Sequence, residues 1–257
     1  MPNHVTSILR FDGDSDQINK LLDEIRGEEE NQFIDFNKIV PMSDDLQIEA
    51  SMGPQNAAEW ALRDFPTPPK EKLDVEEAME KRDYKKLADM MHFDSLMKGD
   101  SPLELDDEEW ELFLKMMNNK RKHGAYTWYG WANDFWGTKW NAYDQAMVDE
   151  TAISFQTAWC IPHKVLEKLS QMYPDVLMRI DFADEDLGSN CGWFTFKNDE
   201  IVESCLPEYG DESCEFAAQL LYNQSYVDLQ AEWAEDEAEY ARAQEEQEER
   251  EDDGVLL

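Results

Sequence analysis

The feature that most constrains the fold is a strand-like segment followed at once by an amphipathic helix. Residues 4–11 alternate between two sets of side chains, as expected of a strand with one buried face. Residues 15–26 carry apolar side chains at i, i+3, i+4 and i+7, and Asp14 or Ser15 can cap this helix. The sequence therefore predicts a β-α unit within the first 26 residues.

A second predicted strand extends this β-α unit to a β-α-β unit, and a second β-α-β unit follows later in the chain. Residues 32–40, which Pro41 ends, predict a second strand. A later group of segments predicts strand, helix, strand and an added hairpin strand, at residues 151–159, 162–172, 176–182 and 191–197. Two β-α-β units separated by an excursion predict an α+β fold with a ferredoxin-like split β-α-β sheet.

The excursion, residues 42–125, has a different composition. Strand-forming residues are sparse, and helical patterns occur at residues 57–63, 75–81, 84–97 and 108–122. The last of these has an apolar face formed by Trp110, Phe113, Leu114 and Met117, and a basic C-terminal end. We interpret this region as a helical insertion whose methionines form inward stripes, with an adaptable partner-binding groove as the alternative.

Residues 126–144 contain four of the nine tryptophans, and glycines interrupt any helix or strand period. The aromatic side chains could stack on the bases of a single strand, but we favour an interior role that wedges the insertion onto the sheet. We expect a structural junction in which Lys139 reaches the acidic loop 184–190. Its predicted members are Trp136, Lys139, Trp140, Asn141, Asp184 and Asn190.

The C-terminal part, residues 206–257, predicts a helix that docks until about residue 233 and then a charged tail that frays. The predicted organisation is a ferredoxin-like domain at 1–41 and 126–205, the insertion at 42–125, and a C-terminal acidic helix and tail at 206–257.

The charge of the chain is unusual. Its 59 acidic and 23 basic residues give a net charge of −36. Residues 228–257 contribute 13 acidic residues and two arginines, so −25 remains on the preceding 227 residues. Such a field repels phosphate backbones and attracts basic surfaces. We therefore expect no direct binding to nucleic acid.

Three features of the sequence indicate the cellular compartment of the protein. The four cysteines form no CxxC pair, which favours reduced thiols. The first residues do not have the pattern of a signal peptide, and no stretch approaches the ~20 apolar residues of a membrane span. We expect a cytoplasmic protein that does not contact a membrane.

Five sequence blocks carry a family resemblance: MPNHVTSILRFDGD, IDFNKIVPM, WGTKWNAYD, ISFQTAW and ADEDLGSNCG. In this order they resemble the phage and plasmid proteins of the Api/YubB-like family, which have a ferredoxin-like domain. The resemblance spans about residues 1–42 and 126–197. It implies a fold and a mobile-element origin in a bacterial host rather than a chemical activity.

No catalytic or cofactor motif is present. The chain has no GxSxG, no HExxH and no phosphate-binding glycine loop, and the scattered cysteines do not fit an iron-sulfur cluster. The loop at residues 184–190 resembles the first half of a calcium loop, but Gly188 stands where a ligand is needed and residue 195 is threonine. We predict no metal, no cofactor and no catalytic residue.

The leading hypothesis is an interaction protein that inhibits a host defence or nucleic-acid-processing complex by presenting a DNA-mimic-like acidic surface to a basic groove. The expected partner is a host protein with a basic or nucleic-acid-binding surface. Solubility alone also explains acidic surfaces, and a small-ligand or nucleotide-handling enzyme with a site between sheet and helical lobe is the alternative. The candidate residues are Asp23, Glu24, Glu28, Glu29, Glu30, Asp106, Asp107, Glu108, Glu109, Glu111, Glu232, Glu235 and Asp236.

Overall fold

The computed structural model describes residues 2–62 and 105–254. The chain forms two compact units, one of Met1–Pro41 with Trp136–Leu257 and the other of Met42–Phe135. We call them the sheet unit and the helical unit. The helices predicted at 75–81 and 84–97 lie outside the described residues.

The sheet unit is built on six antiparallel strands. They are β1 (His4–Asp12), β2 (Tyr143–Asp149), β3 (Ala152–Ala158), β4 (Leu177–Asp184), β5 (Cys191–Lys197) and β6 (Glu200–Cys205), in the spatial order β2-β3-β1-β4-β5-β6. Helix α1 (Ser15–Ile25) follows β1, and α6 (His163–Met172) connects β3 to β4. The order β4-β1-β3-β2 is that of a ferredoxin-like sheet, which β5 and β6 extend. The predicted fold class is confirmed.

The second strand of this sheet is not the predicted one. Residues 32–40 contain no strand and instead form the short helix α2 (Phe36–Ile39), for which Asp35 accepts a capping hydrogen bond from the Asn37 amide at 2.9 Å. The strand role falls to β2, at residues 143–149. The prediction failed because the apolar alternation at 32–40 arises from a capped turn.

Side chains of other residues satisfy the backbone of this segment. The Ile34 amide donates to Gln145 Oε1 at 2.8 Å, and Gln145 Nε2 donates back to the Ile34 carbonyl at 2.9 Å. The Phe36 amide donates to Asn141 Oδ1 at 2.9 Å. Two side-chain amides thus replace the neighbouring strand that buried backbone groups would otherwise need.

The sheet has two differently covered faces. On one face Ser7 of β1 pairs in register with Phe155 of β3 on one side and Phe182 of β4 on the other. Both phenylalanines are buried. Helix α6 packs against β5, with Val165, Leu166 and Leu169 buried. The other face, on which Ala183 and Cys191 lie, packs against α7 (Asp211–Tyr222). This second face is covered by α7 at β4 and β5.

The helical unit contains a short 3-10 helix (Asp44–Leu46), α3 (Met52–Leu62), α4 (Asp107–His123) and α5 (Trp128–Phe135). Phe113 and Met116 of α4 are buried in a cluster with Ala57 and Ala58 of α3. The helix predicted at 108–122 is confirmed, although Trp110 and Leu114 of its predicted apolar face are 39 % and 45 % exposed. Helix α5 lies within residues 126–144, where the glycines interrupt any helical period in the sequence, and it contains Gly130.

The C-terminal region consists of two helices. Asn223 ends α7 in the left-handed conformation, with φ of 55°, and α8 (Tyr226–Gly254) begins three residues later. The sequence predicts one continuous docked helix followed by a frayed tail, whereas α8 continues through Gly254, since Ala and Glu favour helix even without packing. Leu229 is buried, and residues 230–244 are all exposed.

Candidate interaction surfaces

Trp136 and Trp140, predicted members of the junction, have different environments. Trp136 is 4 % exposed, donates from Nε1 to the Val40 carbonyl at 2.9 Å, and packs edge-on against Phe36. Trp140 is 36 % exposed, and Lys139 Nζ lies 4.5 Å from its ring centroid. Trp136 is therefore a core residue of the sheet unit, whereas Trp140 presents its ring to solvent. Their role in seating residues 42–125 stays a prediction.

Asn141 connects three backbone or side-chain groups of the sheet unit. Its Nδ2 donates to Asp35 Oδ1 at 2.7 Å, and its Oδ1 accepts from the amides of Phe36 and Ala142, each at 2.9 Å. A side chain with all of these bonds made is a positioning element. The structure gives Asn141 a local structural role.

The loop that carries Asp184 and Asn190 is held by its own hydrogen bonds. Asp184 is 5 % exposed, and its Oδ1 accepts from Asn3 Nδ2 at 3.0 Å and from the Asp186 amide at 2.9 Å. The Asn190 carbonyl accepts a hydrogen bond from the Asp184 amide, and Asn190 Nδ2 donates to the Trp159 carbonyl at 3.4 Å. Within the described parts of the chain, no three His, Cys, Asp or Glu residues are placed to hold a metal ion.

The sheet unit has an apolar cavity of about 270 Å³ beside α6. Phe182, Phe194 and Phe196 line it together with Cys160 and His163. Burial raises the pKa of the Cys160 thiol, and its Sγ contacts the Gly137 carbonyl at 2.8 Å. Both observations favour the neutral thiol, which is a weak nucleophile. All four cysteines are free, and no helix among residues 2–62 and 105–254 has the length and apolarity to cross a membrane.

The first candidate acidic surface, at the end of α1 and in the loop after it, is exposed but partly engaged. Glu24 accepts a hydrogen bond from the Tyr173 hydroxyl and lies 3.7 Å from Lys20. Burial, and then this hydrogen bond, raise the pKa of Tyr173. Glu28 lies 4.0 Å from Lys38. The exposed Asp23, Glu29 and Glu30 complete this surface.

The second candidate surface, at the start of α4, has a structural explanation. Asp106 Oδ1 accepts from the Glu109 amide at 2.9 Å, and Glu109 Oε2 accepts from the Asp106 amide at 3.3 Å. This pair is a capping box. Asp107 and Glu108 lie in the first turn, where the helix dipole favours negative charge, and Glu111 is exposed one turn later.

The third candidate surface, on α8, has no comparable local function. Glu232, Glu235 and Asp236 are exposed, as are Glu237 and Glu239. None of these carboxylates pairs with a cation among the described side chains, which on α8 end at residue 244. Arg242, on the same helix, donates from Nε to the Ala238 carbonyl at 3.1 Å.

Two groups of residues in the sheet unit lie outside the sequence-based candidates. Trp233 and Tyr240 are exposed on α8, and their spacing of seven residues places them on one helical face. Arg10 and Arg179 meet at Asp181 on the face of the sheet that carries α7. The sequence gives little indication that Arg10 and Asp181 meet, because they are 171 residues apart and only the strand register brings them together.

Comparison with known proteins bears on the sheet unit. Residues 135–252 match the family model described as "Ferredoxin-like domain in Api92-like protein". This region resembles the Api92-like proteins. The Api92-like region contains β2 to β6 and Trp233 and Tyr240, while the acidic surfaces at 23–30 and 106–111 lie outside it. The family resemblance predicted from the sequence blocks is confirmed, and the matched region includes the C-terminal residues 198–252, which the predicted span left out.

A solved structure, protein api92 from Yersinia pseudotuberculosis, is also similar to this chain. The two share 11 % sequence identity with a TM-score of 0.40, over 82 % of this chain and 99 % of that one. No curated protein matches the sequence.

Proposed function

We propose that this chain is an acidic interaction protein of phage or other mobile-element origin, acting in the cytoplasm of a bacterial host. Its partner is a host protein with a basic, nucleic-acid-binding groove, in a defence or nucleic-acid-processing complex. The acidic face of α8 enters that groove in place of nucleic acid and inhibits the partner. This face consists of Asp228, Glu232, Glu235, Asp236 and Glu239. Of the three candidate acidic surfaces, the one on α8 binds the partner.

The observation that carries the proposal is the uncompensated charge of α8. Residues 226–244 contain six carboxylates and one arginine, and the carboxylates are exposed. Asp228 and Glu232, Glu232 and Asp236, and Glu235 and Glu239 are like-charged pairs at i, i+4. Each such pair destabilises a helix by roughly 0.2–0.5 kcal/mol. The charge therefore opposes the helix that carries it, which supports a role outside the fold.

The geometry of α8 suits a groove that accepts a nucleic-acid strand. At about 1.5 Å per residue, residues 226–244 extend about 28 Å. The five carboxylates of the acidic face average one per ~6 Å over that length, compared with one phosphate per ≈ 3.4 Å along a DNA strand. The sequence continues with seven acidic residues among positions 245–253.

Aromatic side chains on α8 favour a protein partner over a purely solubilising role. Trp233 is 45 % and Tyr240 is 67 % exposed, about 10 Å apart along the helix. Exposed Trp and Tyr residues are the usual anchors of protein interfaces. The ring centroids of Trp233 and Tyr222 of α7 also lie 6.4 Å apart, and this edge-to-face contact holds the N-terminal part of α8 against α7.

The test begins with capture of the partner. The full chain, tagged at its N-terminus, is expressed in a phage-bearing or plasmid-bearing bacterial host and purified at about 0.1 M and about 0.5 M salt, with mass spectrometry of the proteins retained. At 0.5 M the Debye length is about 4 Å, so a complex held by these carboxylates dissociates. We expect a nucleic-acid-binding protein at low salt only.

Matched variants then separate α8 from charge in general. One variant carries Glu232→Gln, Glu235→Gln, Asp236→Asn and Glu239→Gln. The control carries Asp23→Asn, Glu28→Gln, Glu29→Gln and Glu30→Gln, which removes the same charge elsewhere. We expect the first to weaken binding to the captured partner at least tenfold and the control less than twofold. Equal loss in both variants, or binding that persists unchanged at 0.5 M salt, would overturn the proposal.

A further inference from the structure

A cleft of about 600 Å³ lies in the sheet unit between the face of β1 and β4 and helix α7. Arg10, Arg179 and Asp181 line its strand side, and Phe216, Gln219 and Leu220 line its helix side. A volume of this size lies within the range of small-molecule sites, ≈ 300–1,000 Å³. The cleft is separate from the acidic face of α8.

Two arginines share one carboxylate on the strand side. Arg179 donates from Nε and Nη2 to Asp181 Oδ1 at 3.0 and 2.8 Å, and Arg10 donates from Nη1 to Asp181 Oδ2. The Asp181 side chain is 10 % exposed. The cluster therefore carries a net charge of +1 inside a chain whose net charge is −36. Local charge at this position is opposite to that of the whole molecule.

Both arginines are held in place, and each has N–H groups that do not donate to Asp181. The Arg179 guanidinium carbon lies 4.1 Å from the Trp193 ring centroid, which orients its plane. A guanidinium has five N–H donors. Among the described residues, Asp181 alone accepts from these two arginines, so Arg10 Nη2 and Nε and Arg179 Nη1 remain available. The side chains of Arg10 and Arg179 are 44 % and 42 % exposed.

The helix side supplies complementary groups. Phe216 and Leu220 present apolar surface, and Asn223 supplies an amide. Gln219 supplies a second amide, whose Nε2 also donates to Glu215 Oε1 at 3.2 Å. Asn223 also ends α7, where the dipole disfavours negative charge. An anion in the cleft is therefore directed toward the arginines, and an apolar group toward Phe216 and Leu220.

We propose that this cleft binds a small organic anion, a carboxylate or phosphate attached to a compact apolar or aromatic group. Arg10 and Arg179 receive the oxyanion through charge-assisted hydrogen bonds. The apolar group packs against α7. A polymeric nucleic acid is disfavoured because the field of the whole chain repels it, whereas a small anion at about 0.15 M salt is screened beyond ≈ 8 Å.

The test uses four probes on the full chain: phenyl phosphate, phenylacetate, inorganic phosphate and the neutral phenylacetamide. Arginine Nε–H NMR signals and calorimetry report binding. We expect saturable shifts of the Arg10 and Arg179 signals with one or both aromatic anions, at least tenfold weaker binding of inorganic phosphate, and no shift with phenylacetamide. The stronger aromatic probe distinguishes a phosphate from a carboxylate ligand.

Variants assign the effect to the cleft. Arg10→Gln leaves Asp181 with both hydrogen bonds from Arg179, so the fold persists, and we expect at least a tenfold loss of affinity. Arg10→Lys retains the charge and loses the planar fork, with an intermediate loss. Arg121→Gln, an exposed arginine of the helical unit, is the control and should bind as the parent chain does. No binding of either aromatic anion, or equal affinity for Arg10→Gln and the parent, would overturn the proposal.

Discussion

Helices α4 and α8 are both rich in acidic residues, but they use that charge in different ways. Helix α4 has three of its four acids in the first turn and Lys120, Arg121, Lys122 and His123 in the last turn, an order that matches the helix dipole. Helix α8 has acids along its length and no basic residue in its last turn. The position of a charge within a helix, rather than the amount of charge, therefore determines whether it stabilises that helix.

The two helices also differ in burial. Helix α4 buries Phe113, Met116 and Asn119, and the Asn119 amide donates to the carbonyls of Asp45 and Tyr126 at 2.8 and 3.1 Å. Among residues 226–244 of α8, Leu229 is the buried side chain. Helix α4 is therefore part of a core, whereas α8 projects from one.

The largest expected difference concerns apolar side chains. Phe113→Ala should destabilise the helical unit by about 3–5 kcal/mol, because it removes a buried aromatic ring. Tyr240→Ala, on the exposed part of α8, should change stability by less than about 0.5 kcal/mol. Urea unfolding followed by circular dichroism measures both. A large effect of Tyr240→Ala would show that α8 packs against something in the free protein.

The next difference concerns the capping box of α4. Asp106→Ala should cost about 0.5–2 kcal/mol, because the Glu109 amide loses its acceptor. Glu111→Ala, an exposed acid beyond the first turn, is the matched control and should be near neutral. Thermal unfolding of both variants measures this. Equal costs would mean that the acids of α4 act through net charge rather than through the cap.

A smaller effect should change sign between the two helices. Glu108→Gln removes a charge that the dipole of α4 favours and should destabilise by about 0.3–1 kcal/mol. Glu239→Gln removes the repulsion from Glu235 in α8 and should stabilise that helix by about 0.2–0.5 kcal/mol. Amide hydrogen exchange along each helix reports both changes. The same sign in both helices would show that the position of a carboxylate within a helix does not determine its effect on stability.

The smallest expected effect is pH-dependent and lies at the basic end of α4. Hydrogen bonds from Lys122 and His123 to Asp45 lower the pKa of that carboxyl. A lowered folded pKa means that the contribution to stability is present above about pH 4, the ordinary range of an aspartate, and is lost as the pH falls further. Asp45→Asn should therefore flatten the acid limb of stability against pH. Identical acid limbs would show that this contact contributes nothing in solution.

Elements with a strong period were predictable from the sequence. The alternation of β1 and the apolar spacing of α1 and α6 each imply one buried face, and those faces are buried. Strands β2 and β6 were missed because they are largely exposed, so their side chains show no alternation. Residues 32–40 were misassigned because their backbone partners, Asn141 and Gln145, lie more than 100 residues away.

The candidate acidic surfaces, like the strands and helices, were only partly predictable from the sequence. Sequence alone identified the acidic runs and placed one of them on a C-terminal helix that docks near residue 233, because composition and helical period are local properties. It could not rank the three runs, since the rank depends on which carboxylates cap, pair or remain exposed.

By itself the sequence determined the ferredoxin-like core, the charge and the acidic C-terminal helix. The tertiary structure alone decided that β2 replaces residues 32–40 in the sheet, that Trp136 is buried while Trp140 is not, and that Arg10 and Arg179 meet at Asp181. The physical reason is the same in each case. Local periodicity specifies which face of an element is buried, whereas strand register and long-range hydrogen bonds specify what that face meets.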